Sequence, residues 1–308
     1  MPDILHIGIH KTGSTYLQNA IWPQVEGVQY LSRPFTQHNH AFNQLQYADD
    51  SLYDEKAMRD VLIAFGARPF LISDEALSGK PMLFASINRS HIARRLRVLF
   101  PDATVIVFIR NQHDVILSHY SSYVKEPVGT KTLRDFVWKP GMDYRYEAGV
   151  REHEYYDPAR LYYNTGDFHL HLDSFLYARL IGLYRELFER VEVFLYEDLR
   201  RRPSAVVDRL SAIVGQRLHA SGDRWNRSFS RNELAIRRTL NRARPLLGSD
   251  VVVKGLSRLL GAALPPGSKE AWRDQVRFVV GDYYKEDNRT LRETCPDLPW
   301  DLYEGTYV

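Results

Sequence analysis

The stretch Ile4 to Trp22 constrains the fold more than any other in this chain. Ile4, Leu5, Ile7 and Ile9 form a short apolar run, mostly β-branched, as expected of a strand covered on both faces. The chain turns between Gly8 and Gly13, and from Ser14 onward Tyr16, Leu17, Ala20 and Ile21 recur at helical spacing. Strand, glycine turn and helix therefore follow one another directly. Such a turn aims backbone N–H groups and the positive end of the helix dipole at one point. Lys11 adds a charge there, and Thr12, Ser14 and Thr15 add hydroxyl donors. The stretch predicts a cradle for a phosphate-like anion; the plainer alternative is a tight strand-to-helix turn. The glycine spacing matches the nucleotide-binding pattern G-x-x-x-x-G-K-[ST], but Ser14 stands in the lysine position and Lys11 lies ahead of Gly13. That departure argues against an ordinary ATPase or GTPase.

Strands and helices alternate further along. A helix is expected over 54–65, and Pro69 introduces a buried strand, Phe70 to Ser73, that ends at Asp74 and Glu75. A helix over 88–100 precedes Thr104 to Ile109, the clearest buried strand of the chain, which ends at Arg110 and a helix carrying Val115, Ile116 and Leu117. An amphipathic helix from Ser174, a last strand from Val191 to Tyr196 and a helix closed by Gly215 complete the pattern. The predicted fold class is α/β, a P-loop-like open parallel sheet with helices on both faces. In such sheets ligands bind beyond the carboxyl ends of the strands. The Lys11 loop, Asp74, Glu75 and Arg110 all fall on that edge. Asp74 and Glu75 have helix capping as their alternative role, and Arg110 has a surface ion pair. Residues 33–52 read as a polar loop, and His38 and His40 within it lack a third metal ligand.

At 308 residues with 44% hydrophobic content, a single domain over 1–308 is expected, with an acceptor-binding insertion at 126–172 and a helical C-terminal part at 220–308. The insertion interleaves Tyr144, Tyr146, Tyr155, Tyr156, Tyr162 and Tyr163 with charged residues, which suits a sugar or another hydroxylated acceptor; the plainer alternative is an irregular layer packed over the core. The 41 basic and 38 acidic side chains give a net charge of +3, too balanced for a nucleic-acid binder. The single cysteine, Cys295, cannot form an internal disulfide. Only three residues precede Ile4 and no apolar run approaches membrane-spanning length, so a soluble cytoplasmic protein without a transmembrane segment is expected. Val251 to Leu264 is amphipathic and is expected to dock on the domain, with contact to a membrane surface as the alternative.

The run His10-Lys11-Thr12-Gly13-Ser14-Thr15-Tyr16-Leu17-Gln18 resembles the 5′-phosphosulfate loop of the sulfotransferases that use 3′-phosphoadenosine 5′-phosphosulfate (PAPS). Arg110, seven intervening residues and Ser118 resemble their 3′-phosphate motif. Tyr196-Glu197-Asp198-Leu199 with Pro203 resembles a segment common in bacterial and carbohydrate sulfotransferases, with a structural role. The resemblance implies transfer of a sulfuryl group to a hydroxyl or amine of a small-molecule or glycan acceptor, with PAP as product and no metal. It implies Lys11 as the catalytic cation and Glu75 as the base, with Asp74 and His10 as fallbacks. Cosubstrate contacts are expected from His10, Lys11, Thr12, Gly13, Ser14, Thr15, Tyr16, Arg110 and Ser118, with Asn226 and Ser228 from a segment that closes over the nucleotide. A P-loop metabolite kinase using ATP and magnesium, or a non-catalytic nucleotide-binding protein, are the competing readings. The acceptor and the oligomeric state are left open.

Overall fold

A computed structural model describes residues 1–82, 88–139, 169–222, 231–244, 250–263 and 269–303. Strands β1 (Ile4–His6), β2 (Gln29–Ser32), β3 (Phe70–Ser73) and β4 (Thr104–Ile109) belong to the main sheet. A separate parallel pair is formed by β5 (Val137–Trp138) and β6 (Leu170–His171), and β7 (Arg190–Leu195) returns to the main sheet. The main sheet has the order β2-β3-β1-β4-β7 and every pairing is parallel.

Because successive side chains of a strand point to opposite faces, the apolar strands feed two cores. Ile4, Leu71, Ile106, Phe108 and Phe194 pack on one side with Leu17, Ile21, Trp22 and Leu210. Leu5, Ile72, Val105, Val107 and Ile109 pack on the other with Ile92, Leu96, Ile116 and Leu180. Helices Arg89–Leu99, Gln112–Lys125 and Tyr177–Leu187 thus cover one face, while the helix after β1 and helix Pro203–Val214 cover the other. This is the parallel sheet with two-sided cover that the uninterrupted apolar strands predict.

Residues 33–52 differ from the expected loop. They form helices Arg33–His38 and His40–Tyr47, joined at Asn39, whose side chain accepts from Ala41 N at 3.0 Å and Phe42 N at 3.2 Å. Ala41, Phe42 and Leu45 are buried, and Phe35 meets Phe42 and Phe65 edge-on. Helices of six and eight residues are too short to show a repeating apolar stripe, so their polar residues dominate the sequence signal.

Within 126–172 the described residues include a short helix, Leu133–Phe136, and the β5–β6 pair; most of the tyrosine-rich acceptor stretch lies outside the described residues. The described C-terminal residues form helices Arg231–Arg242, Asp250–Ala263, Lys269–Val280 and Lys285–Thr294. Helix Arg231–Arg242 docks on helix Gln112–Lys125, where Asn241 donates to the carbonyls of Val124, Glu126 and Gly129 at 3.0, 2.9 and 3.1 Å. Among the described residues no helix is long and apolar enough to cross a membrane.

Candidate functional site

Connections leave β1 toward β3 and β2, whereas β4 connects toward β7, so the ligand crevice expected at such a switch point falls between the carboxyl ends of β1 and β4. The loop after β1 occupies one wall of it. Gly8, Lys11 and Gly13 all have positive φ, +53°, +72° and +95°, and Lys11 is the one non-glycine with that conformation among the described residues. A left-handed conformation costs an ordinary residue roughly 1–2 kcal/mol, so the loop holds Lys11 under backbone strain of the kind found at functional sites. A Cβ on Gly13 would stand 3.0 Å from Leu199 Cδ2 and 3.3 Å from Tyr196 Cδ2, so glycine lets helix Tyr196–Arg201 rest on the loop.

Thr12 is fully buried and its hydroxyl is spent on the loop itself, donating to Ile9 O at 2.6 Å. This corrects the expectation that its hydroxyl faces the anion; the main-chain N–H is what Thr12 has left to offer. Ser14 differs, since its buried Oγ meets no partner. Gly13 caps the following helix without a side-chain bond. Thr15 is exposed. The Tyr16 hydroxyl accepts from Ser221 N at 3.0 Å, which ties the helix to the segment leading into 223–230. The helix continues from Ser14–Tyr16 into a π-turn, Leu17–Ile21.

Gln18, on that π-turn, donates to Ser73 O at 3.1 Å and to Glu75 Oε2 at 3.3 Å. Arg33 Nη1 donates to the same Glu75 oxygen at 3.2 Å. Two donors thus fix one oxygen of a buried carboxylate at the end of β3. Asp74 is used differently. Its Oδ2 accepts from Thr36 Oγ1 at 2.6 Å and Gln46 Nε2 at 2.9 Å, and its Oδ1 caps the turn Glu75–Ser78 through Ala76 N at 2.9 Å. Both oxygens are spent inside the fold, which matches the capping role that the sequence offered as its alternative.

Arg110 leaves β4 on the opposite wall. Its Nη1 donates to Lys11 O at 3.0 Å, which joins the two loops directly, and its guanidinium lies 4.4 Å from the centre of the Tyr196 ring. The buried Nε keeps an unspent N–H. Tyr177 OH donates to Arg110 O at 2.8 Å and Glu197 Oε1 accepts from Asn111 N at 3.0 Å, so the turn is braced from both sides. Ser118 lies half-buried about two turns along helix Gln112–Lys125. Asp198 pairs with Arg202 at 2.7 Å, in keeping with a structural role for the Tyr196 segment.

The electrostatics of the crevice are cationic. Desolvation lowers the pKa of Lys11 below the usual lysine range, helped by Lys125, Arg33 and Arg110 and opposed by Glu75. Lys80 is lowered to about 8, chiefly by burial and then by Arg33. His10 and His119 are both held well below the ordinary histidine value, first by burial and then by cationic neighbours. Their rings lie 6.3 Å apart. Crowded cations with unspent donors at Ser14 and Arg110 are what an arriving anion would neutralise.

Arg33, Gln18, Lys80 and His119 escaped the sequence reading as site residues. Arg33 directly follows β2 on the ligand-binding edge, a positional signal that the apparent loop concealed. Gln18 closes the run that resembles the 5′-phosphosulfate loop but had no role assigned to it, Lys80 carried no signal of its own, and His119 was overshadowed by Ser118. Asn226 and Ser228 lie outside the described residues.

Comparison with known proteins adds to this geometry. A solved sulfotransferase from Alicyclobacillus acidocaldarius aligns over 89% of this chain and 99% of its own length, at 19% identity and a TM-score of 0.46. No curated protein matches the chain. The family model described as the sulfotransferase domain matches residues 1–232, a span that contains the whole main sheet, the Lys11 loop and the Arg110 turn. With 232 of its 308 residues so matched, the chain belongs to the sulfotransferase family.

Proposed function

We propose that this sulfotransferase uses PAPS as donor and a carbohydrate or glycan-like molecule as acceptor, by in-line displacement at sulfur. One observation carries the reading: two loops at a topological switch point, joined by the Arg110–Lys11 bond, each keep a buried unspent donor, Ser14 Oγ on the first and Arg110 Nε on the second. A donor with anionic groups at both its 5′ and 3′ positions would use both walls; a nucleoside triphosphate would not need the second.

PAPS brings a sulfuryl group on a phosphate leaving group. In this reading the loop from His10 to Tyr16 holds the 5′-phosphosulfate through Lys11, the main-chain N–H groups of Thr12, Gly13 and Thr15, and the Ser14 hydroxyl. Arg110 and Ser118 hold the 3′-phosphate, a task suited to the planar guanidinium fork. Lys11 offsets the charge that gathers on the phosphate oxygen as its bond to sulfur breaks. Glu75 takes the proton from the acceptor hydroxyl as the new oxygen–sulfur bond forms. Arg33 and Gln18 occupy one of its oxygens, which leaves Oε1 for that proton. No metal is invoked, since Lys11 supplies the positive charge. The tyrosine-rich stretch motivates the choice of a hydroxylated acceptor.

The test is transfer of labelled sulfate from PAPS to a panel of mono- and oligosaccharides, with Glu75→Gln alongside. Activity with at least one acceptor, reduced about 10²-fold or more in Glu75→Gln with PAP affinity nearly unchanged, is expected. Wild-type turnover in that variant would refute the assignment of the base.

A further inference from the structure

His10 stands one residue before the strained lysine, and its Nε2 lies 3.1 Å from Arg33 Nη1. A guanidinium only donates. The imidazole nitrogen facing it must therefore be the unprotonated one, which puts the ring proton on Nδ1. That Nδ1 is buried and has no partner among the described residues. The same Arg33 nitrogen donates to Glu75 Oε2 at 3.2 Å, so one guanidinium end sets the tautomer of the histidine and the orientation of the carboxylate together.

We infer that His10, fixed by Arg33 as the neutral Nδ1–H tautomer, is a hydrogen-bond donor to the sulfuryl or phosphate oxygens held by the loop and not a proton acceptor. The inference rests on the PAPS reading for the identity of that anion. A buried N–H without a partner is costly, and the group that meets it must present an oxygen acceptor.

The surroundings keep the ring neutral. Arg33 comes from the segment after β2, Lys80 from the segment after β3, Lys11 from the loop itself and His119 from helix Gln112–Lys125, and each of them disfavours an imidazolium at His10. His119 also bonds the main chain of His10, which fixes the backbone carrying the ring. A neutral donor among cations adds directionality where point charges do not. Glu75 is left as the one base of the set, and Arg33 becomes a positioning residue for both side chains.

The experiment is heteronuclear NMR of the histidine-labelled full chain. In the free protein His10 should show a protonated Nδ1 and a pyridine-like Nε2, without titration between pH 6 and 9, and Arg33→Met should disturb that pattern. A protonated Nε2, or a ring that titrates near the ordinary value, overturns the inference. Addition of PAPS without acceptor should move the Hδ1 resonance. Saturation by PAPS, followed by calorimetry, with that resonance unmoved also overturns it. Absence of PAPS binding while the tautomer stands as described would instead sink the donor reading, and the donor role of His10 with it. Kinetics give a second arm. Asn at this position keeps an N–H near Nδ1 and Gln keeps one near Nε2, so His10→Gln should lose about tenfold more turnover than His10→Asn, as one charge-assisted hydrogen bond implies. Equal, near-complete loss in both points to a proton-transfer role and contradicts the inference.

Discussion

Replacing Gly8 by alanine should damage the site through a route that can be worked out atom by atom. Gly8 has φ +53°, and an added Cβ would stand 3.0 Å from Ser14 Oγ and 3.1 Å from Glu75 Cγ. The backbone cost of a left-handed alanine is about 1–2 kcal/mol. Crowding at two such contacts adds about 1–3 kcal/mol, as overpacking of a closed site does. The sum is about 2–5 kcal/mol. With an unfolding entropy of about 2.1 cal/mol/K per residue over 308 residues, the melting temperature should fall by about 3–8 °C. Gly27 supplies the control, since it also has positive φ, +71°, but nothing lies within 4 Å of its added Cβ. Gly27→Ala should therefore lose only the backbone part, about 2–3 °C, and bind PAP like the wild type. Gly8→Ala should lose both stability and PAP affinity, because the displaced atoms belong to the anion loop and the base. Scanning calorimetry with PAP titration reads both. Equal shifts in the two variants, or unchanged PAP binding in Gly8→Ala, would refute the argument that Gly8 exists to let Ser14 and Glu75 approach.

Three further expectations follow from the same contacts. Asp74→Asn puts an N–H₂ group against donors from Thr36 or Gln46 and should cost about 2–4 kcal/mol of stability, while turnover falls far less than in Glu75→Gln; the reverse ranking would restore Asp74 as the base. Arg110→Ala should weaken PAP about 10–100-fold, the worth of charge-assisted hydrogen bonds, but adenosine 5′-phosphosulfate only slightly, and equal weakening of both would remove the 3′-phosphate from Arg110. Lys80 has a folded pKa of about 8 against an ordinary 10.5. Between those values the unfolded chain holds a proton that the folded one has lost, so this residue makes stability rise with pH across that window. Chemical denaturation from pH 7 to 10.5 should show the wild type gaining on Lys80→Met; parallel pH curves would contradict the depressed pKa.

Much of this was legible in the sequence because the informative residues are local. Four of the five main-sheet strands announced themselves as short, mainly apolar runs, the pattern of a sheet covered on both faces, and the carboxyl ends of three of them placed the Lys11 loop, Glu75 and Arg110 on one edge. Side-chain bookkeeping was not legible. Nothing in the order of residues says that the Thr12 hydroxyl turns back to Ile9 O or that Asp74 is spent on Thr36, Gln46 and Ala76. The helices at Arg33–His38 and His40–Tyr47 were hidden by their shortness, and with them Arg33, the residue that links His10 to Glu75. Distant partners of that kind are set by tertiary packing and leave no periodic trace.

The most direct test of the account is calorimetric titration of the purified protein with PAP, with ATP and magnesium as comparison. Tight binding of PAP that does not depend on metal, with weak binding of ATP, is the expected result. Magnesium-dependent binding of ATP, with PAP no better than AMP, would contradict it: the Arg110 wall would then hold no phosphate, and the crevice would not be a PAPS site.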